Sequence, residues 1–72
     1  MINLKKARTI SEIRNMLFDD MTAADVAELL NVTRSTGWRK KNGVINLTRK
    51  DRLLIIQKYQ LDNEDAFKLL KA

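Results

Sequence analysis

The chain has 72 residues and contains no cysteine, no histidine, no proline and only two glycines. Without cysteine and histidine it lacks the commonest general base and most ligand sets for transition metals. The carboxylates of Asp19 and Asp20 are adjacent, but neighbouring positions at a helix end point in different directions. The two glycines match no phosphate-binding pattern. We therefore expect a protein that is not an enzyme and has no metal, no cofactor and no small-molecule substrate.

Long apolar runs are missing as well. The longest run, residues 53–56, has four residues, whereas a membrane span needs roughly 18 to 20. The basic start of the chain is not followed by the apolar stretch of a secretory signal. These absences predict a soluble, cytoplasmic protein with no membrane partner.

The composition is that of a folded domain. Apolar residues make up 44% of the chain and charged residues 32%, far from the pattern of disordered segments. A chain this short buries only about 60% of its unfolded surface, so its core is marginal. We expect one domain over residues 1–72, and a homodimer would add buried surface.

The net charge of +5 is unevenly distributed along the chain. Residues 33–52 contain seven basic side chains against one acidic side chain, and residues 1–14 contain four against one. Residues 15–32 contain four acidic side chains and no basic one. This asymmetry fits a polyanionic partner, and it fits a basic surface that contacts only solvent equally well.

Helix caps followed by apolar residues at helical spacing predict an all-α fold, a compact bundle of about five short helices. The pairs Thr9–Glu12, Thr22–Asp25 and Thr48–Asp51 have the spacing of capping boxes. Predicted helices run from about 10 to 18, from 22 to near 31, from 33 to 41 and from 49 to 59, with a last one after Asp62 or Asn63.

Three further segments carry weaker expectations. Residues 2–8 either extend the first helix or form a basic arm. The apolar connector Val44, Ile45 and Leu47 is expected to lie under the domain. The four consecutive apolar residues 53–56 cover most of a helix circumference, so the fourth helix is expected to be central to the core.

Residues 22–43 have the features that two helices need in order to cross at a tight turn. Ala27 is small where the backbones approach, and Asn31, four positions later, tolerates a left-handed conformation. Three apolar residues face the crossing: Val26, Leu30 and Val32.

The segment T-x-x-D-V-A-x-x-L-N-V-T-R-S-T resembles the helix-turn-helix family of small phage regulators, typified by the lambda-type repressors and Cro proteins. The resemblance covers about 22 residues. It implies a lambda repressor/Cro-like domain that acts as a sequence-specific, DNA-binding transcriptional regulator. It also implies that residues 33–41 form the helix that reads the major groove, and that a dimer binds paired half-sites of an operator.

This sequence departs from the family where the second helix of the motif meets the core. The family has a branched apolar residue ten positions after the small alanine and another apolar residue three positions later, and here these places hold Gly37 and Lys40. We expect this helix to be weakly anchored. Trp38 is then either the core anchor, if the turn is one residue longer, or an exposed side chain.

If the partner is DNA, the resemblance assigns two kinds of contact. The N-terminal half of the second helix meets base edges, and flanking polar and basic residues meet phosphates. The predicted base contacts are Thr33, Arg34, Ser35, Thr36 and Arg39. The predicted phosphate contacts are Thr22, Lys40, Lys41 and Asn42, with Lys5, Lys6 and Arg8 as a supporting arm.

The alternative is a protein partner. Some small phage regulators of this kind are antirepressors, or modulators, that dock on the DNA-binding domain of a cognate repressor and block it. An exposed Trp38 beside Arg34 would suit such an interface. The acidic Asp25 and Glu28 would face a basic surface on the partner.

Overall fold

The computed structural model describes residues 3–72, which are all-helical apart from their connections. This confirms the predicted all-α class and the number of helices. A short 3-10 helix, Leu4–Lys6, precedes five α-helices: α1 (Ile10–Phe18), α2 (Ala23–Leu30), α3 (Arg34–Lys41), α4 (Arg49–Tyr59) and α5 (Asn63–Lys71).

Each α-helix is preceded by a residue whose side chain accepts a hydrogen bond from a backbone N–H in the first turn. At the start of α2, the Thr22 hydroxyl accepts from the Asp25 backbone N–H, and the Asp25 carboxylate accepts from that of Thr22, both at 3.1 Å. A second complete box begins α4. At α1 only half of the predicted box forms, because the Glu12 carboxylate accepts from the backbone N–H of Arg8 instead of Thr9.

The core draws on every helix except α3. Tyr59 connects α4 to α1 through its hydroxyl, which donates to the carbonyl of Leu17 at 3.0 Å. The residues that form one buried apolar cluster are Leu4, Ala7, Ile13, Leu17, Phe18, Val26, Leu30, Leu47, Ile55 and Leu69. Leu4 and Ala7 are among them, so residues 3–8 pack on the domain and do not form a free arm; residue 2 lies outside the described residues.

Two expectations about the core are only partly correct. In the connector, Leu47 is buried, but Val44 and Ile45 are exposed. In α4, Ile55 is fully buried whereas Leu53 is exposed. A helix that packs on one side keeps one face in solvent, even where four apolar residues are consecutive.

The crossing of α2 and α3 depends on a sharp turn. Asn31 adopts the left-handed conformation, with φ 56° and ψ 49°, as its side chain predicts. The backbone N–H of Val32 donates to the carbonyl of Ala27 at 2.9 Å. Thr33 then caps α3, so only residues 31–33 separate the two helices.

Gly37 is buried against α2. A Cβ atom at this position would lie 2.8 Å from the Ala23 carbonyl oxygen, and 2.8 Å from both the Cβ and the backbone nitrogen of Ala27. The absence of a side chain therefore lets the two helix backbones approach closely. The expectation that glycine leaves α3 weakly anchored is wrong, because Gly37 packs against α2 through its backbone.

None of the helices within residues 3–72 combines the length and the apolar character required to cross a bilayer.

We predict that Gly37→Ala destabilises the domain. Helix propensity alone would favour alanine by about 1 kcal/mol, but the added Cβ would overlap backbone atoms of α2. We expect the free energy of unfolding to fall by about 1 to 3 kcal/mol, measured by urea denaturation. Ser35→Ala, an exposed change on the same helix, is the matched control and should alter it by less than about 0.5 kcal/mol. A stabilised Gly37→Ala variant would contradict the close packing.

Candidate functional site

The outward side of α3 combines basic and aromatic side chains. Arg34, Ser35, Trp38 and Arg39 are exposed, and we call these four residues the α3 face. Positions three and four apart lie on the same side of a helix, so Trp38 lies one turn from both Arg34 and Ser35. Within residues 3–72, neither arginine forms an ion pair. The α3 face therefore presents two unpaired guanidinium groups around an indole.

Trp38 is 52% exposed. Since Thr33 caps α3 directly, with its hydroxyl accepting from the backbone N–H of Thr36 at 3.3 Å, the turn is not lengthened. Gly37 takes the inward position and the indole points away from the core. Of the two alternatives that the sequence left open, the structure shows the exposed side chain.

Lys40 is buried, with 6% of its surface exposed, and its Nζ donates to the carboxylate of Asp51. The same Asp51 oxygen accepts from the backbone N–H of Thr48 at 2.8 Å. The ion pair thus joins the last turn of α3 to the capping box of α4. The prediction that Lys40 contacts phosphate is wrong, because its ammonium group is paired inside the domain.

Burial would raise the pKa of Asp51, but the hydrogen bonds from Lys40 and Thr48 outweigh it and hold the pKa below its usual range. The charged form of the carboxylate is therefore the one that the fold stabilises.

Lys5, predicted to belong to a phosphate-binding arm, has carboxylate partners on the surface of the domain. Its Nζ lies 3.2 Å from the Asp62 carboxylate and within 4.0 Å of oxygens of Glu64 and Asp65, at the start of α5. The hydrogen bond to Asp62 raises the pKa of Lys5 despite some desolvation. Lys6 and Arg8 are exposed and form no ion pair within residues 3–72.

Several other predicted contacts lie near the α3 face but already have partners. The hydroxyl of Thr33 donates to that of Thr36 at 3.0 Å, and the Thr22 hydroxyl and Asp25 carboxylate form the α2 capping box. The Asn42 side-chain amide donates to the Trp38 carbonyl at 2.9 Å.

The remaining predicted residues differ in accessibility. Lys41 is half-buried, whereas Glu28 and Arg8 are exposed. Only part of the predicted set is therefore free to meet a partner.

The sequence prediction missed two apolar residues beside the α3 face. Gly43 follows α3 with φ 76°, and the backbone N–H of Val44 donates to the Arg39 carbonyl at 2.9 Å. Val44 is 61% exposed and Ile45 39% exposed. They extend the surface at the C-terminal end of α3 with apolar area. Their position directly after a helix-ending glycine was the available indication.

The chain matches no family model, no curated protein and no solved structure.

We predict that Asp51→Asn removes a contribution to the free energy of unfolding that depends on pH. Because the pKa of Asp51 is lower in the folded state, its contribution is complete above the unfolded value of roughly 4. It is lost as the pH falls through the folded value. We expect Asp51→Asn to lower the free energy of unfolding by roughly 3 kcal/mol at neutral pH.

The measurement is chemical denaturation of both proteins from pH 7 to pH 2. The difference between wild type and Asp51→Asn should shrink on acidification. Subtraction of the variant is needed because the pKa of Asp62 is lowered too, by the backbone N–H of Asp65 and by Lys5. A difference that stays constant with pH would contradict the charged pair.

Proposed function

We propose that this chain is a helix-turn-helix protein that binds another protein through the α3 face and modulates a DNA-binding repressor by covering its DNA-reading surface. The helix-turn-helix assignment is supported by the close α2–α3 crossing at Gly37 and by the left-handed Asn31. The observation that carries the functional proposal is the exposed indole of Trp38 between two arginines that form no ion pair within residues 3–72.

Tryptophan and arginine are the residues most enriched in the energetic centres of protein interfaces. An indole has a large apolar surface that gains free energy when water is excluded, and it carries an N–H that can donate to a partner. The exposed Val44 and Ile45 add apolar area at the C-terminal end of α3. A surface with this composition favours a protein partner over the highly charged backbone of DNA.

The distribution of charge supports the same partner class. DNA affinity rests largely on cations that neutralise phosphates, and both Lys40 and Lys5 have carboxylate partners within the domain. The exposed carboxylates of Asp25 and Glu28 on α2 would repel phosphates. They would attract a basic surface such as the DNA-reading helix of a repressor.

A second candidate function is sequence-specific DNA binding of the Cro type. The exposure of Arg34, Ser35 and Arg39 on α3 favours it, since an arginine can hydrogen-bond guanine through two donors. On this hypothesis the chain binds an operator as a dimer, with the Trp38 indole against the groove wall.

We predict that Trp38→Ala weakens binding to the cognate repressor. Truncation of a central interface tryptophan costs about 2 kcal/mol or more, a loss of roughly thirty-fold in affinity. Isothermal titration of the purified proteins measures it. Leu53→Ala, which truncates an exposed apolar residue on α4, is the matched control and should bind like wild type. Unchanged binding by Trp38→Ala would refute the proposal.

The DNA hypothesis has its own test in the same proteins. Titration of labelled promoter DNA at two salt concentrations measures whether affinity falls steeply with salt, as counterion release requires. Our proposal predicts no operator preference at either concentration. A salt-sensitive, sequence-specific complex that Arg34→Ala weakens would establish the second candidate instead.

A further inference from the structure

A second surface lies away from α3, where α5 passes the start of α1. The two segments enclose an open groove of about 450 Å³. Its walls are apolar at Ile10, Ile13 and Phe67, and charged groups lie at its edge. No residue of α3 lines it. The groove is therefore separate from the surface that carries the proposed function.

Phe67 is the most exposed of the large apolar side chains in residues 3–72, at 65%. The positively charged ammonium of Lys71 lies over its ring, 5.7 Å from the ring centre. An aromatic ring left in water beside an apolar groove is a feature of surfaces that become covered by a partner.

Two of the charges on α5, Glu64 and Lys71, are self-complementary. Glu64, Phe67, Lys68 and Lys71 all line the groove, and their spacing of three, four and seven places them along one face of the helix. Glu64 and Lys71 stand at the two ends of this face. A second copy of α5 laid antiparallel along it would bring each Glu64 opposite the Lys71 of the other copy, with the phenyl rings near the two-fold axis.

We propose that this face of α5 is the interface of a homodimer, in which Phe67 of each copy enters the α1–α5 groove of the other. A two-fold interface uses the same patch on both copies, and the ends of this patch satisfy that condition. The charged lining of the groove contains Glu64 beside the cations Arg8, Lys68 and Lys71, and a second copy is the partner whose Lys71 gives Glu64 an ionic contact at each end of the patch.

The dimer leaves the α3 face free on both copies. One helix face and one groove form a small patch by the standard of stable interfaces, which bury roughly 1,200 to 2,000 Å². We therefore expect a dimer that dissociates on dilution. The inference does not depend on which partner the α3 face binds.

Sedimentation equilibrium of the full chain over a wide concentration range tests the interface. Wild type should show a reversible monomer–dimer equilibrium, and Phe67→Ala should raise its dissociation constant at least ten-fold while the circular dichroism stays unchanged. Leu53→Ala is the matched apolar control, and Trp38→Ala should dimerise like wild type. A wild type that is monomeric at the highest concentration would overturn the proposal.

A charge exchange tests the antiparallel arrangement. Glu64→Lys and Lys71→Glu should each weaken the dimer, because each places like charges opposite one another, and the double variant should recover it. Lys50→Glu, on exposed α4 surface, controls for the change in net charge. Failure of the double variant to recover dimerisation would exclude this geometry. A monomeric wild type that binds a synthetic amphipathic helix of leucine and glutamate would assign the groove to an acidic partner instead.

Discussion

The close approach of α3 to α2 at Gly37 determines what this small domain presents to its surroundings. Position 37 faces α2, the next position on the same helix is exposed, and the indole of Trp38 becomes the centre of the α3 face. One turn after Gly37, Lys40 again faces inward, where it pairs with Asp51 at the start of α4. Glycine fits at position 37, where the backbones of α2 and α3 are close. At position 40 a long side chain fits, because it reaches a buried carboxylate.

Local hydrogen-bonding chemistry made much of the fold predictable. Thr22, Thr33 and Thr48 each cap a helix that begins at the next residue, and Asn31 is left-handed as expected. These features depend on residues within four positions of one another, so sequence spacing reports them. The burial of Gly37 and Lys40 depends instead on atoms that belong to other helices. The family resemblance suggested a missing anchor at Gly37 and a phosphate contact at Lys40, and the tertiary contacts reverse both conclusions.

The exposure of the predicted site residues was only partly predictable. The sequence placed the recognition surface on residues 33–41, and Arg34, Ser35 and Arg39 are indeed exposed there. It could not determine whether Trp38 was inside or outside, because a one-residue change in the turn exchanges the two. The exposed Val44 and Ile45 were missed for a similar reason, since apolar residues in a connector are expected to be buried. Trp38 is exposed, and Lys5 and Lys40 are paired with carboxylates. The surface is therefore more apolar and less cationic than the sequence suggests. This difference favours the proposed protein partner.

The fluorescence of the single tryptophan tests the central claim most directly, because it reports the environment of residue 38 alone. If Gly37 faces α2 and Trp38 faces solvent, the folded chain should emit at nearly the wavelength of the urea-denatured chain, and acrylamide should quench both to a similar extent. A strongly blue-shifted emission that acrylamide cannot reach would show a buried indole and contradict the account.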